Sequence, residues 1–377
     1  MVLVTETYPP EINGVAMTLD RLVTGLRERG HDVTVVRPRQ RHEHERDTAQ
    51  DERLQPSIPL PFYNALRLGL PTHGAPYPVA GEERPDVVHI ATEGFLGISA
   101  LRAALHRRIP VISSYHTRFD DFGRHYGLGF LGPALRAHLK SFHNKTQATL
   151  VPSPSIRDSL VTQGFRHCHV LGRGLDAKHF HPARRREGKR AAWGMGEEDP
   201  ILICTSRLAP EKNLGLALRA FDAVRERVPG ARLVLVGSGP LQERLRGQSG
   251  VVVVGAVPHD EVGAHLSAAD VFLFPSETET FGNVLTEAMA CGLATVSYDY
   301  AASAMHVQHG RNGLQVELGD ADGFVREAVR VAEDGALRRR LGVAARNTAA
   351  ALDWDHIVAQ FEQHLRAAAT TGRRAKR

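Results

Sequence analysis

The sequence predicts an α/β protein of two domains, each built on a parallel sheet. Three observations carry this. Short apolar runs alternate with helical patterns along the chain, the order expected when each strand is followed by a crossover helix. A polar passage rich in Pro and Arg at residues 182–199 interrupts the alternation, which then restarts. A chain of 377 residues is too long for one ordinary core and suits two.

Val2-Leu3-Val4 reads as a first buried strand, running into a turn at Pro9-Pro10 and Asn13-Gly14. A helix is expected over residues 15–29, because Leu19, Leu22, Val23 and Leu26 share one face and Gly30 supplies the stop. Residues 32–36 are the next strand. The basic cluster at residues 37–53 is diluted by Glu43, Glu45, Asp47, Asp51 and Glu52, so it reads as a polar surface loop. The passage PLPFYNALRLGLP at 59–71 reads as an apolar loop that either reaches lipid or packs locally. Further strands are expected at 86–90, 110–114 and 149–151. Between the last two, Leu131, Leu135, Leu139 and Phe142 lie near Arg136, Lys140 and Lys145. They describe either a scaffold helix buried on its Leu face or a basic amphipathic helix at a membrane.

A hinge is placed near residues 182–190, and strands resume at 201–205, 232–236, 251–254, 271–274 and 294–297. The expected domains are 1–182 and 183–352. Residues 353–377 hold a last helix, about 356–368, and a basic tail. No tandem repeat is present.

Composition narrows the class. Hydrophobic residues make up 42% and charged residues 24%, values of a soluble globular protein, and no apolar run approaches the ~18 residues of a membrane span. The formal charge of +5 is moderate, and no basic stripe with interleaved aromatics points to nucleic acid. It leaves room for peripheral contact with an anionic membrane. Cys168, Cys204 and Cys291 are far apart and lack partners at metal-ligand spacing. His167-Cys168-His169 is adjacent rather than spaced, so it reads as a loop or strand. Few cysteines and no export signal at the N-terminus place the chain in the cytosol, with the inner face of the membrane as its peripheral site.

The segment SETETFGNVLTEAMACG at 276–292 carries the most chemistry. Glu279 and Glu287 have seven residues between them, with a Gly282-Asn283 turn inside and the apolar strand 271–274 before. A helix is expected over 283–290, with Val284, Leu285, Ala288 and Met289 inward and Gly292 as its stop. The amides of Phe281, Gly282, Asn283 and Val284 would then face outward at a helix start, a ready site for a diphosphate. Two acceptor-only carboxylates beside it suit a ligand with hydroxyls at both ends, such as a nucleotide sugar.

ExFGxxxxE followed by EAMACG resembles the carboxylate-pair motif of retaining nucleotide-sugar glycosyltransferases of the GT-B fold. More narrowly, it resembles family four, with its sucrose synthases and bacterial phosphatidylinositol mannosyltransferases. The resemblance implies two Rossmann-like doubly wound domains facing across a cleft, with the last helix crossing back to the first. It implies that Glu279 holds hydroxyls of the donor sugar and Glu287 the nucleotide ribose.

Other segments fit it. Ser206-Arg207-Leu208-Ala209-Pro210-Glu211-Lys212-Asn213 follows the first strand of the second domain and is similar to the family's donor-phosphate element. Arg207 offers a planar fork and Lys212 a point charge, which together can neutralise a departing diphosphate. Asn213 is read as a helix cap. Gly237, in Val236-Gly237-Ser238-Gly239, marks a tight turn after a strand, and in the family this loop approaches the nucleotide. Asn13 and Gly14 open the first helix where backbone can come close to a ligand. Tyr8, on the same loop, is a candidate acceptor contact. His116, in Ser114-Tyr115-His116-Thr117-Arg118, matches a histidine near the transferred sugar, and Tyr115 and Arg118 extend that polar wall on the acceptor side. The runs YHTRFDDFGRHYG, PDVVHIATEGFLG and YDYAAS look most like the bacterial glycolipid α-mannosyltransferase and sulfoquinovosyl- or glucosyl-diacylglycerol synthase branch. Arg173-Gly174-Leu175-Asp176 matches the element before the hinge.

Asp320-Ala321-Asp322 is formally a metal-binding D-x-D but stands where a helix opens, so capping is expected, as for Asp353-Trp354-Asp355. No cofactor is expected, the nucleotide sugar being a substrate, and turnover is expected without a metal. The implied donor is GDP-mannose, with a UDP-hexose as the alternative and a lipid or glycan as acceptor. A sugar-nucleotide epimerase and a non-catalytic nucleotide-sugar-binding subunit stay open as other classes.

Overall fold

The structure, a computed structural model, describes residues 1–11, 13–41, 43, 51–60, 63–71, 84–116, 132–185, 187–196 and 199–374. It divides into two units, Met1–Arg173 with Trp354–Arg377, and Gly174–Asp353.

In the first unit the chain runs β1 (Val2–Val4), α1 (Gly14–Glu28), β2 (Thr34–Pro38), β3 (Glu52–Gln55), β4 (Ser57–Leu60) and β5 (Tyr63–Gly69). It continues β6 (Val88–Ile90), α2 (Phe95–His106), β7 (Val111–Ser114), α3 (Gly132–His143), β8 (Ala148–Val151), α4 (Pro154–Thr162) and β9 (Cys168–Val170). The main sheet has the order β3-β2-β1-β6-β7-β8-β9, with every neighbouring pair parallel. The strands are Val- and Ile-rich because helices cover both faces. The C-terminal helix Trp354–Arg374 belongs to this unit: Val358, Phe361, Leu365 and Ala368 join Leu19, Leu22, Val23 and Leu26 of α1 in one core. Gly25 makes room there, since a Cβ would meet Val358 Cγ2 at 2.6 Å.

Two passages read as loops are strands. The charged cluster contributes β3, an edge strand parallel to β2. Its acids hold a buried cation rather than water: Arg37, 4% exposed, donates to both oxygens of Glu43 and to Glu52, each at 2.8 Å. The apolar passage forms β4 and β5, an antiparallel pair that Pro59 did not prevent. In α3, Leu139 and Phe142 are buried and Leu135 packs against the core. The Leu face is therefore a scaffold face, and the basic residues Arg136, Lys140 and Lys145 are exposed. Leu131 lies outside the described residues.

Where the strand order reverses, between β1 and β6, buried Glu6 ties three elements. Its carboxylate accepts from Gly69 N of β5 at 2.6 Å and from Leu96 N in the first turn of α2 at 3.0 Å. It stands in for a cap that Gly94 lacks. Glu6→Ala leaves two buried amides without an acceptor, and a loss of about 2–3 kcal/mol in urea unfolding is expected.

The second unit runs α5 (Glu187–Ala192), β10 (Ile201–Thr205), α6 (Leu214–Arg227), β11 (Arg232–Val236), α7 (Gln242–Leu245), β12 (Val251–Gly255), α8 (His259–Ser267) and β13 (Val271–Phe274). It ends α9 (Asn283–Ala290), β14 (Ala294–Tyr298), α10 (Ala302–His306), β15 (Leu314–Val316), α11 (Ala321–Glu333) and α12 (Gly335–Ala349). Its parallel sheet has the order β12-β11-β10-β13-β14-β15, the doubly wound order of dinucleotide-binding folds.

The division falls at Gly174, before the expected hinge at 182–190. Phe180 is 1% exposed in the core of this unit, and Ser267 Oγ donates to His181 O at 2.9 Å. Arg190, also 1% exposed, donates to the carbonyls of Gly196, Asp199 and Ala268 and to Asp270 Oδ2. The Arg-rich passage is thus anchored structure, which composition did not reveal.

Candidate functional site

The order of the second sheet reverses between β10 and β13, and ligands of such sheets bind beyond the strand ends at that point. The two connections that meet there are 206–213 after β10 and 275–282 after β13. Three ties hold them together. Thr278 Oγ1 donates to Glu211 O at 3.2 Å, Lys212 Nζ to Glu279 Oε1 at 2.5 Å, and Asn213 Nδ2 to Glu277 Oε1 at 3.0 Å. Three successive residues of one loop therefore meet three of the other. Asn213 starts α6 in the left-handed conformation, but its side chain goes to Glu277 instead of capping the helix.

Arg207 pairs with Glu211 on the same loop. The sequence reading passed over Glu211, although the i,i+4 spacing of Arg207 and Glu211 was the available signal. Its Oε2 is buried with no hydrogen-bond partner among the described residues. Gly237 lies where no side chain fits: at φ 133°, a Cβ would stand 1.9 Å from Ser206 O. Ser206 N and Leu208 N donate to Val236 O and Ser238 O, so the β11 loop braces the β10 loop.

Gly282 (φ 92°) opens α9, and no side chain caps it. The amides of Asn283 and Val284 are left at a bare helix start, where the positive end of the dipole favours an anion. Phe281 is buried, and its carbonyl takes Ala302 N at 2.8 Å. Tyr300 Oη donates to Glu279 O at 2.7 Å, so the YDYAAS run positions the first glutamate's backbone. Glu287, one turn into α9, forms no ion pair or hydrogen bond to Arg207, Lys212 or Glu279 among the described residues. Burial pushes its carboxyl up to about 8.

In the first unit, Asn13 caps α1, accepting from Val15 N and Ala16 N. Asn13 and Gly14 adopt no unusual backbone: Asn13 is extended and Gly14 is the first helical residue. Asn13 Nδ2 donates to Thr7 Oγ1, which donates to Glu11. Two expected acceptor contacts are core residues. Tyr8 is 4% exposed with its hydroxyl on Asp20 Oδ1, and Tyr115, 5% exposed, packs edge-on against Phe165. An aromatic ring at a strand end serves the core as readily as a ligand. Arg118 lies outside the described residues. His116 is buried, with Nδ1 3.0 Å from Arg173 Nη2.

Asp320 Oδ1 caps α11 through Gly323 N, and Asp322 pairs with Arg219. The D-x-D is thus occupied by capping and an ion pair. No helix among the described residues is long and apolar enough to cross a membrane.

Two family models match: "Glycosyltransferase Family 4" over residues 12–179 and "Glycosyl transferases group 1" over 199–334. The chain is 34% identical over 385 residues to a GDP-mannose-dependent alpha-mannosyltransferase of Mycolicibacterium smegmatis, covering 100% of this chain and 98% of the relative. It is 29% identical over 359 residues to a sulfoquinovosyl transferase of Arabidopsis thaliana, covering 91% and 68%. Among solved structures, Anabaena HepE in complex with UDP superposes with a TM-score of 0.74 at 18% identity, covering 97% and 99%. That likeness shows the fold, the two Rossmann-like units of the GT-B architecture.

Proposed function

The chain belongs to Glycosyltransferase Family 4, and from that premise we propose that it is a retaining α-glycosyltransferase moving mannose from GDP-mannose to a lipid or glycan acceptor. The observation that carries the reading is the triply tied pair of loops at the β10/β13 switch point, with the Lys212–Glu279 pair at its centre and the bare start of α9 beside it.

Each group has a task. Lys212, Arg207 and the α9 amides neutralise the diphosphate as it leaves with negative charge. Glu279 accepts hydroxyls of the donor sugar, and Glu287 those of the ribose. His116 donates to the transferred sugar. The bond to the leaving phosphate lengthens to an oxocarbenium-like state, and the acceptor oxygen attacks on the same face. The leaving phosphate takes the acceptor proton. Arg207 and Lys212 supply the positive charge that a metal would otherwise bring.

A thermal-shift panel of GDP, UDP, ADP, GDP-mannose, UDP-glucose and UDP-glucuronate tests the donor. A ligand at ~100 times its dissociation constant adds ~2.7 kcal/mol. Selective stabilisation by guanine compounds is expected. A selective uridine response would move the reading to a diacylglycerol-type transfer from a UDP-sugar. Silence to every nucleotide would remove the donor site.

A lipid acceptor brings peripheral contact with an anionic membrane. Its support is the exposed basic face of Arg136, Lys140 and Lys145, since the apolar face of α3 is buried. Flotation with anionic vesicles at low salt, lost at high salt, is the expected result. No flotation at low salt would end this part of the reading.

A further inference from the structure

The end of β7 contains a buried imidazole with one nitrogen engaged and one unmatched. His116 is 7% exposed, and its Nδ1 lies 3.0 Å from Arg173 Nη2. A guanidinium has only donors, so Nδ1 must offer its lone pair. A neutral ring then carries its proton on Nε2. Nε2 is buried and has no hydrogen-bond partner among the described residues. A buried, unmatched N–H is costly unless something arrives to accept from it.

We propose that Arg173 is a positioning residue that locks His116 as the neutral Nε2–H imidazole, holding one donor ready for a hydroxyl oxygen of the transferred sugar. Arg173 is itself held: it is 8% exposed, and its Nη1 donates to Leu171 O and Gly172 O, both at 3.2 Å. The fork is therefore aimed by the protein's own backbone. Its charge also opposes a second proton on the ring. Burial, then Arg173, then His89 and His143 hold His116 well below the usual imidazole range. His89 Nε2 is engaged with Ser114 Oγ, and His143 is fixed between Ser113 Oγ and Glu93 Oε1. A family match to the histidine alone says nothing of its tautomer; the fixed arginine decides it.

The assignment of His116 to the sugar rests on the transferase reading, but the tautomer does not, so the two can fail separately. The test is nitrogen NMR of the full chain labelled with 15N-histidine, with the His116 signals identified by their loss in His116→Asn. The wild-type spectrum should show the Nε2–H tautomer, unprotonated from pH 5.5 to 8. Arg173→Met, which keeps bulk but donates nothing, should show mixed tautomers and lower kcat by roughly 10- to 100-fold with little change in donor KM. Arg173→Lys, which still donates, should recover the wild-type tautomer and much of kcat. An Nδ1–H ring or an imidazolium in the wild type overturns the proposal, and so does wild-type kcat in Arg173→Met. The wild-type spectrum alone decides should the Met variant not fold. Absence of turnover with any donor, alongside the expected tautomer, counts against the transferase reading and leaves the lock standing.

Discussion

Lys212→Ala is expected to lower kcat by roughly 10²- to 10³-fold, the scale seen when one fixed stabiliser of transition-state charge is removed. The substitution acts twice. It removes the cation that would meet the leaving diphosphate. It also strips Glu279 of the partner that lies 2.5 Å away. An unpaired carboxylate would then stand beside an arriving dianion, so donor binding should weaken too. The double variant Lys212→Ala/Glu279→Gln separates the two effects. Contacting residues couple, so its loss should fall well short of the product of the single losses, and its nucleotide affinity should exceed that of Lys212→Ala. Glu279→Gln alone should slow sugar transfer more than it weakens nucleotide binding. Steady-state kinetics with calorimetry of the free nucleotide reads all three variants. Near-normal turnover in Lys212→Ala removes Lys212 from the mechanism, and a pure nucleotide-binding defect in Glu279→Gln moves Glu279 to another role.

The strands and helices that bury a regular apolar face were legible. The strands at 201–205, 232–236 and 271–274 and the helix at 283–290 stand at the residues their patterns indicate. What escaped were elements held by polar contacts or at an edge. β3 carries no apolar alternation because its work is to present Glu52 to Arg37. The β4–β5 pair contains a proline, which argues against a strand only in a sheet interior. In the site, the residue types around Lys212 and Glu279 pointed to phosphate and hydroxyl chemistry. The pairings did not follow from residue types: that Asn213 serves Glu277, or that Thr278 ties to the Glu211 carbonyl, depends on how two loops far apart in sequence are brought side by side. Tyr8 and Tyr115 are buried core rings near strand ends, and residue type alone does not tell such a ring from a ligand contact.

Glu287 should make donor affinity depend on pH. Burial raises its carboxyl to about 8, so at neutral pH the free protein holds it mostly protonated. A ribose that donates hydroxyls to it favours the ionised form, so binding releases a proton. Affinity should therefore rise with pH by up to about tenfold per unit between roughly pH 6 and 8 and level off above, because one pKa unit corresponds to ~1.4 kcal/mol. The sign for stability is opposite. The folded state holds this proton over a range where the unfolded chain has lost it, so the contribution of Glu287 to stability declines as pH rises from about 4.5 towards 8. A nucleotide sugar is the ligand to use, because its doubly esterified diphosphate does not titrate in this range. Calorimetry in buffers of different ionisation enthalpy should detect the released proton, and Glu287→Gln should abolish both the release and the slope while weakening binding at pH 8 by roughly 10²-fold, the cost of losing a charge-assisted pair of hydrogen bonds. A flat affinity profile in the wild-type protein would mean that Glu287 does not receive the ribose, and the sugar-nucleotide would have to be held by the Lys212, Arg207 and α9 groups without it.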